Sequence, residues 1–165
     1  MKWFFEDPDR AAALIAEAKT WRGTPFRRGS SAKGAGGGID CVGLDESLLF
    51  AVGAVPKFNF PRDRKRDYSR HVYNDRILKY LRGQFEDPQS KILASRLAEL
   101  AKDIALMTGD ILILKTGVDL YHMPIVLDPP RFIQCAFPHG VSEADITDPQ
   151  YRDKLVTIFR VLAVS

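Results

Sequence analysis

The sequence contains few cysteines and histidines, the residues that form disulfides or bind metal ions in small proteins. Its 165 residues include two cysteines, Cys41 and Cys135, and three histidines. A disulfide framework normally needs several cysteines at regular spacing, so we expect both thiols to be reduced. No run of about 18 apolar residues occurs, which excludes a membrane-spanning helix. A chain of this length can bury roughly two-thirds of its unfolded surface without such cross-links, and we expect one soluble domain over residues 1–165.

The start of the sequence also lacks the pattern of a secretory leader. Its apolar run, residues 3–5, is followed by two acids and a proline, and this is too short for the apolar region of a signal peptide. We therefore expect a chain that begins in its mature form and is cytoplasmic as synthesised. The net charge of +3 suits an acidic polymer such as cell wall or nucleic acid without demanding either. Of these two, we expect no nucleic-acid partner.

The hydrophobic pattern changes from helical to strand-like along the chain. We predict a first helix over residues 9–19, a second that begins at Cys41 and is closed by Gly53, and two more over residues 73–81 and 90–102. We predict one long loop over residues 20–40, and loops of this length are usually functional or disordered. We predict an irregular surface excursion over residues 55–72. Strands are predicted over residues 109–115, 121–128, 131–137 and 155–161. Helices followed by an antiparallel sheet are typical of the α+β class.

One cysteine follows a glycine-rich approach and opens an apolar, helix-forming stretch. The segment reads Gly37-Gly38-Ile39-Asp40-Cys41. A cysteine in the first turn of a helix lies among unpaired backbone N–H groups at the positive end of the helix dipole, and both lower the pKa of the thiol. A buried structural cysteine after a flexible loop is the alternative, and this segment alone favours neither interpretation.

A cysteine nucleophile needs a general base, and that base needs a polar group that fixes its tautomer. Of the three histidines, His122 starts a predicted strand, where it would share a face with Val126. By contrast, His71 lies in the irregular excursion. His139 lies in a turn beside a glycine and is a reserve candidate for the third position. A histidine with a purely structural role in the strand remains an alternative at this point.

The next predicted strand carries Gln134 between apolar neighbours. If the two strands pair as a hairpin, its amide can lie opposite His122 and hold the second ring nitrogen. A buried amide with some other partner is an equally physical interpretation. Cys135 would point to the opposite face, and we predict that it lies in the core.

Several segments, in this order, resemble the NlpC family of papain-like cysteine peptidases, which cut the stem peptides of bacterial peptidoglycan. Residues 21–26, Trp-Arg-Gly-Thr-Pro-Phe, resemble the family's Trp-Xaa-Gly-Thr-Pro-Tyr stretch, and residues 40–43, Asp-Cys-Val-Gly, resemble its Asp-Cys-Ser-Gly motif. Residues 108–112 are similar to the family's Pro-Gly-Asp-Leu strand. Residues 121–127 and 132–136 resemble its strands with His-Val-Gly-Ile and Phe-Ile-His-Ala.

The resemblance implies a papain-like fold in which the nucleophile helix packs against an antiparallel sheet. It implies Cys41 as nucleophile, His122 as base and Gln134 as the orienting residue. It also implies three substrate-binding residues, namely Trp21, Phe26 and Asp40. The implied substrate is the bond between D-γ-glutamate and a diamino acid in a peptidoglycan stem peptide. No metal or organic cofactor is implied.

The chain departs from the family pattern at several positions. Phe26 replaces a tyrosine whose hydroxyl reaches the active site, Val42 replaces a serine, and Pro124 lies where the family has glycine. Because proline has no backbone N–H, it is best tolerated at a strand edge or bulge. Residues 55–105 form an atypical insertion. These departures favour a first alternative, a tail or cell-wall-binding protein with weakened catalysis. A thiol amidase or acyltransferase acting on another amide is the second alternative.

Residues 31–34, Ser-Ala-Lys-Gly, match a loop of the short members found in phage and prophage tails. This resemblance implies phage tail proteins as further partners. It also implies a location in the phage particle or release to the cell wall.

Overall fold

The computed structural model describes residues 1–60, 72–73, 76–117 and 120–164. A short 3-10 helix over Phe4–Glu6 precedes five α-helices. The helices α1 to α5 span Pro8–Lys19, Cys41–Ala51, Arg76–Leu81, Pro88–Ala94 and Pro149–Arg152. The strands β1 to β10 span Ser31–Ala32, Gly38–Ile39, Val72–Tyr73, Leu97–Leu100, Ile111–Gly117, Leu120–His122, Ile125–Val126, Arg131–Ala136, Gly140–Asp145 and Leu155–Val161.

Helices α1 and α2 form where the sequence predicts them. At the start of α1, the Asp7 carboxylate accepts hydrogen bonds from the N–H groups of Asp9 and Arg10 at 2.9 and 3.4 Å. Pro8 occupies the first helical position, where no N–H is needed. Helix α2 begins at Cys41, as predicted, and packs against both α1 and β8. This packing places the N-terminal end of α2 beside the sheet.

Two predicted helices are shorter than expected. The prediction for residues 90–102 is wrong after Ala94, because Leu97–Leu100 forms β4 and pairs with β10. A tertiary partner here overrides a helical pattern of leucines. The helix predicted over residues 73–81 begins only at Arg76, and Tyr73 belongs to β3. Of the predicted irregular excursion, residues 55–60 contain no helix or strand, and residues 61–71 lie outside the described residues.

Among the described residues, eight strands form one antiparallel sheet. Its order is β3-β6-β5-β7-β8-β9, with β10 paired to both β5 and β4. The register places His122 opposite Leu114, and Ile125 opposite Ile133. The strands predicted over residues 109–115, 131–137 and 155–161 correspond to β5, β8 and β10. Strand β9, over Gly140–Asp145, was not predicted and pairs with β8 along its full length.

The strand predicted over residues 121–128 is divided into β6 and β7 by Met123 and Pro124. Pro124 cannot donate a backbone hydrogen bond, but its carbonyl accepts one from the N–H of Leu112 at 2.8 Å. Both halves therefore stay beside β5. The prediction of one continuous strand is therefore wrong, because a proline cannot donate the hydrogen bond that would continue the strand.

The sheet buries apolar side chains on both faces. Along β5, Ile111 and Ile113 pack into the cluster that includes residues of α1 and α2, whereas Leu112 and Leu114 pack into a second cluster. The other buried members of the second cluster are Val126, Phe132, Ile146 and Ile158. None of the helices within the described ranges has the length and apolar character needed to span a bilayer.

A buried ion pair fixes the start of β5. Arg160 donates through Nε and Nη2 to the two carboxylate oxygens of Asp110, at 2.7 and 2.8 Å, and both residues are buried. The same guanidinium donates to the Ala105 carbonyl at 2.8 Å and lies 5.3 Å from the centroid of the Trp3 ring. The N–H of Met107 donates to Asp110 at 2.9 Å. The pair therefore joins β5, β10 and the turn before β5.

One carboxyl group is buried without such compensation. Asp45 lies on α2 and is fully buried, and neither of its carboxyl oxygens has a hydrogen-bond partner among the described residues. Burial raises the pKa of Asp45 well above its usual range, and the negative charges of Glu46 and Asp40 raise it further. The fold therefore favours the neutral, protonated form of Asp45.

Substitution of Arg160 tests the ion pair. Arg160→Met leaves the Asp110 carboxylate buried without its cation, so we expect the free energy of unfolding to fall by about 3–5 kcal/mol in urea denaturation. The double variant Asp110→Asn/Arg160→Met removes both charges and should recover part of this loss. Equal losses in the single and double variants would contradict the role assigned to the uncompensated charge.

Substitution of Asp45 tests the buried carboxyl. Asp45→Leu should raise the free energy of unfolding at pH 7 by about 1–3 kcal/mol, the usual cost of an unsatisfied buried polar group. The folded-state pKa of Asp45 lies above the unfolded value of about 3.9, so the folded protein binds more protons. Wild-type stability should therefore fall as pH rises from about 4 towards the folded-state pKa, and the variant should lose this slope. The exposed control Asp103→Leu should keep the slope; an unchanged slope in Asp45→Leu would refute the interpretation.

Candidate active site

Cys41 is the first residue of α2 and is 3% exposed. The residue before it, Asp40, caps the helix. Asp40 has an extended backbone, with φ −102° and ψ 174°, and its Oδ1 accepts the N–H of Gly43 at 2.7 Å. The positive end of the helix dipole lies at this position. This environment favours the thiolate form of a cysteine.

The loop before Cys41 is a tightly packed turn. Its short strands β1 and β2 pair with each other. The N–H of Ile39 donates to the Pro25 carbonyl at 3.0 Å, and the N–H of Arg27 donates to the Ile39 carbonyl at 2.9 Å. At Gly37 an added Cβ would overlap the carbonyl oxygen of Ala32. Glycine is needed here because two stretches of backbone approach each other closely.

The three residues expected to bind substrate occupy different environments. Trp21 is buried, and its indole N–H donates to Glu17 Oε1 at 3.3 Å. Asp40 is also buried and acts as the cap of α2. Phe26 is half-buried, and its ring lies edge-to-face against Phe137 with 6.0 Å between the centroids. Of the three, Phe26 alone is partly exposed.

His122 and Gln134 are in direct contact. His122 ends β6, Gln134 lies within β8, and both side chains are buried. His122 Nε2 is 2.8 Å from Gln134 Oε1. An amide oxygen only accepts hydrogen bonds, so in this arrangement Nε2 carries the hydrogen. Nδ1 is then the basic nitrogen of the ring. The contact that a hairpin would produce between these residues is therefore present.

Gln134 is also hydrogen-bonded to Tyr151, a residue that local sequence patterns do not indicate. Gln134 Nε2 donates to Tyr151 Oη at 3.2 Å. Tyr151 lies on α5, which Asp148 caps and Pro149 opens. An Asp-Pro pair is a recognisable helix start, so the helix could have been predicted. Nothing in the sequence indicates that its tyrosine meets a glutamine 17 residues earlier.

The second cysteine anchors the loop to the sheet. Cys135 is 1% exposed, and its thiol donates to the Ile39 carbonyl with the sulfur 3.1 Å from the oxygen. Burial raises the pKa of the Cys135 thiol to about 12, and the negative charge of Asp40 acts in the same direction. Cys135 is thus a core residue, as predicted. It joins the strand that carries Gln134 to the backbone two residues before Cys41.

The reserve candidate His139 does not contribute to this arrangement. His139 is exposed in the turn between β8 and β9, and His71 lies outside the described residues. Within the described part of the chain, no group of three or more histidine, cysteine, aspartate or glutamate side chains is placed to hold a metal ion.

The solved structures that are similar to this chain include two NlpC/P60 proteins. A Staphylococcus aureus protein described as similar to a lipoprotein, of the NLP/P60 family, gives a TM-score of 0.58 at 19% sequence identity. The match covers 96% of this chain and 43% of that protein, so this chain spans less than half of its length. The NlpC/p60 domain of the peptidoglycan hydrolase SagA gives a TM-score of 0.49 at 18% identity, with 93% and 98% of the two chains covered.

Comparison of the sequence with protein-family models and with curated proteins gives no match. The fold is therefore assigned from the structure. The helices, the antiparallel sheet and the likeness to the staphylococcal protein show a papain-like α+β fold of the NlpC/P60 type.

Proposed function

We propose that this chain is a cysteine peptidase that hydrolyses amide bonds in the stem peptides of bacterial peptidoglycan. The observation that carries the proposal is the 2.8 Å hydrogen bond between His122 Nε2 and Gln134 Oε1. It holds the imidazole in a tautomer whose other nitrogen can accept a proton, as a thiol-based hydrolysis requires. The position of Cys41 at the start of α2 supports the same reaction.

In the proposed first step, His122 accepts the proton of the Cys41 thiol, and the positive end of α2 stabilises the thiolate. The sulfur attacks the carbonyl carbon of the substrate. Backbone N–H groups at the Cys41 turn stabilise the oxyanion that forms. The carbon–nitrogen bond then breaks as His122 returns the proton to the leaving nitrogen, and a thioester remains on Cys41.

In the second step, His122 takes a proton from water, and the resulting hydroxide attacks the thioester carbonyl. The thiolate of Cys41 leaves and the acid product is released. His122 becomes positively charged in both steps, and the amide oxygen of Gln134 then accepts a hydrogen bond from a charged donor. Hydrogen bonds of this kind are stronger than those between neutral groups.

The proposed substrate class follows from the sequence motifs, which imply the bond between D-γ-glutamate and a diamino acid. Phe26 and Phe137 form an aromatic pair on the loop and turn near the site, and we assign Phe26 to substrate contact. Trp21 and Asp40 would act on the substrate site indirectly, because Trp21 is buried and Asp40 caps α2.

The wider setting of the reaction is also a proposal. We treat residues 1–165 as one catalytic domain in which residues 55–105 are an insertion that contributes β3, α3, α4 and β4. The loop over residues 31–34 favours a tail-associated role, with synthesis in the cytoplasm followed by action in a phage particle or at the cell wall. Phage tail proteins would then be further partners.

Alkylation separates an activated thiolate from an ordinary thiol. At pH 6, iodoacetamide should modify Cys41 at least about tenfold faster than free cysteine, because a thiol with a pKa around 8.5 is almost entirely protonated there. Cys135 serves as the internal control and should stay unmodified, since its pKa is raised to about 12. Mass spectrometry of the two cysteine peptides gives both rates. A Cys41 rate equal to that of free cysteine would favour a binding protein that keeps the fold without catalysis.

Release of peptides from purified peptidoglycan tests the reaction itself. Cys41→Ala and His122→Ala should each lower the rate by about a thousandfold or more, because nucleophile and base act as a unit. Gln134→Ala should lower it by about tenfold to a hundredfold. The matched control His139→Ala removes an exposed imidazole and should keep the wild-type rate.

Mass spectrometry of the released peptides identifies the bond that is cut. We expect a newly exposed amino group on the diamino acid. Unchanged release by Cys41→Ala would rule out the assignment. A reactive Cys41 without any peptide release would favour a thiol amidase or acyltransferase acting on another amide.

A further inference from the structure

Three side chains from separate elements are joined by two consecutive hydrogen bonds. His122 on β6 meets Gln134 on β8 at 2.8 Å, and Gln134 meets Tyr151 on α5 at 3.2 Å. We propose that Tyr151 is a positioning residue for the reaction, which holds the Gln134 amide in the orientation that keeps the hydrogen of His122 on Nε2. This inference rests on the function proposed above for His122 and Gln134.

The position of the Tyr151 ring is fixed by packing. The ring lies edge-on against Phe132, with 5.1 Å between the centroids and 88° between the planes. Tyr151 also packs against the second apolar cluster, whose buried members include Leu112 and Val126. Phe132 and Gln134 are two residues apart on β8 and therefore project from the same face of the sheet. Packing of the ring on Phe132 thus brings the phenol oxygen to the Gln134 amide.

The orientation of the amide decides which nitrogen of His122 is basic. A glutamine amide has an oxygen on one side and an NH₂ group on the other, and a half-turn exchanges them. With the oxygen towards His122, Nε2 is protonated and Nδ1 is the base. With the NH₂ group towards His122, Nε2 would have to accept, and the hydrogen would move to Nδ1. The second arrangement removes the base that the proposed reaction uses.

Tyr151 supplies the acceptor that the productive orientation needs. When Gln134 Oε1 faces His122, the NH₂ group points away, and Tyr151 Oη accepts its hydrogen bond. Loss of the hydroxyl would leave this largely buried NH₂ group without that acceptor, which is costly for a buried donor. The same bond polarises the amide, so that its oxygen is a better acceptor when His122 becomes an imidazolium.

A pair of tyrosine variants tests the inference on a soluble stem peptide. Tyr151→Phe removes the hydroxyl and keeps the ring on Phe132. We expect kcat to fall by about three- to tenfold with KM unchanged, because the hydroxyl acts on the base and does not touch substrate. Tyr80→Phe makes the same change in a buried ring that packs against Phe60 and Phe85 in the other cluster. It should keep the wild-type kcat. Equal kcat values for the two variants would overturn the inference.

A double-variant cycle shows whether Tyr151 acts through Gln134. In a Gln134→Ala background, Tyr151→Phe should cause no further loss of kcat, because the residue that transmits its effect is absent. A further three- to tenfold loss in that background would mean that the tyrosine acts by another route, and the inference would be wrong.

A third measurement needs no substrate and separates this inference from the proposed function. The chain has three histidines, so His71→Gln/His139→Gln leaves His122 as the only labelled imidazole in ¹⁵N NMR. We expect the neutral ring to carry its hydrogen on Nε2, and Tyr151→Phe to increase the fraction with the hydrogen on Nδ1. The same tautomer fractions in both proteins would overturn the inference. A shift in a protein that releases no peptide from peptidoglycan would support it while the proposed substrate fails.

Discussion

The register of the strand that carries His122 depends on the buried pair of Asp110 and Arg160. Strand β5 begins one residue after Asp110, and β5 pairs with β6, β7 and β10. Burial of two charges is costly, and the bidentate geometry together with contacts to backbone groups offsets that cost. An apolar pair could stabilise the core equally well. The directional ion pair, in our interpretation, specifies how β5 and β10 line up, and this alignment places His122 next to Leu114.

The elements predicted correctly from the sequence are those with local causes. Helix α1 has an aspartate cap and a proline at its start, and β5, β8 and β10 have β-branched or aromatic residues over lengths typical of strands. The errors occur where a distant partner decides the structure. Leucines 97 and 100 fit a helix by their spacing, but they pair with β10. Strand β9 is largely polar, with Ser142 and Glu143 in its middle, and it is a strand because it pairs with β8.

Some residues of the candidate site could likewise be predicted from local patterns, and others could not. Cys41, His122 and Gln134 could be selected because chemically useful residues are rare in this sequence, and because a cysteine that opens a helix has a recognisable pattern. The contact between His122 and Gln134 was accessible to prediction, since the residues lie 12 apart in the sequence. The surroundings of Tyr151 and Asp45 could not be predicted from the sequence. A tyrosine on a one-turn helix and a carboxyl within an apolar helix acquire their roles from surroundings that local patterns do not record.

The enclosed Cys135 thiol has a consequence for oxidative stress. Peroxide attacks cysteine in its thiolate form and converts it to a sulfenic acid. Burial raises the pKa of Cys135 to about 12 and keeps its sulfur from solvent, so the bond between β8 and the Ile39 carbonyl would survive oxidising conditions. If Cys41 is the thiolate of the proposed reaction, oxidation would instead fall on its sulfur. A sulfenic acid at Cys41 would leave this bond intact, and a thiol could reduce it again without refolding of the chain.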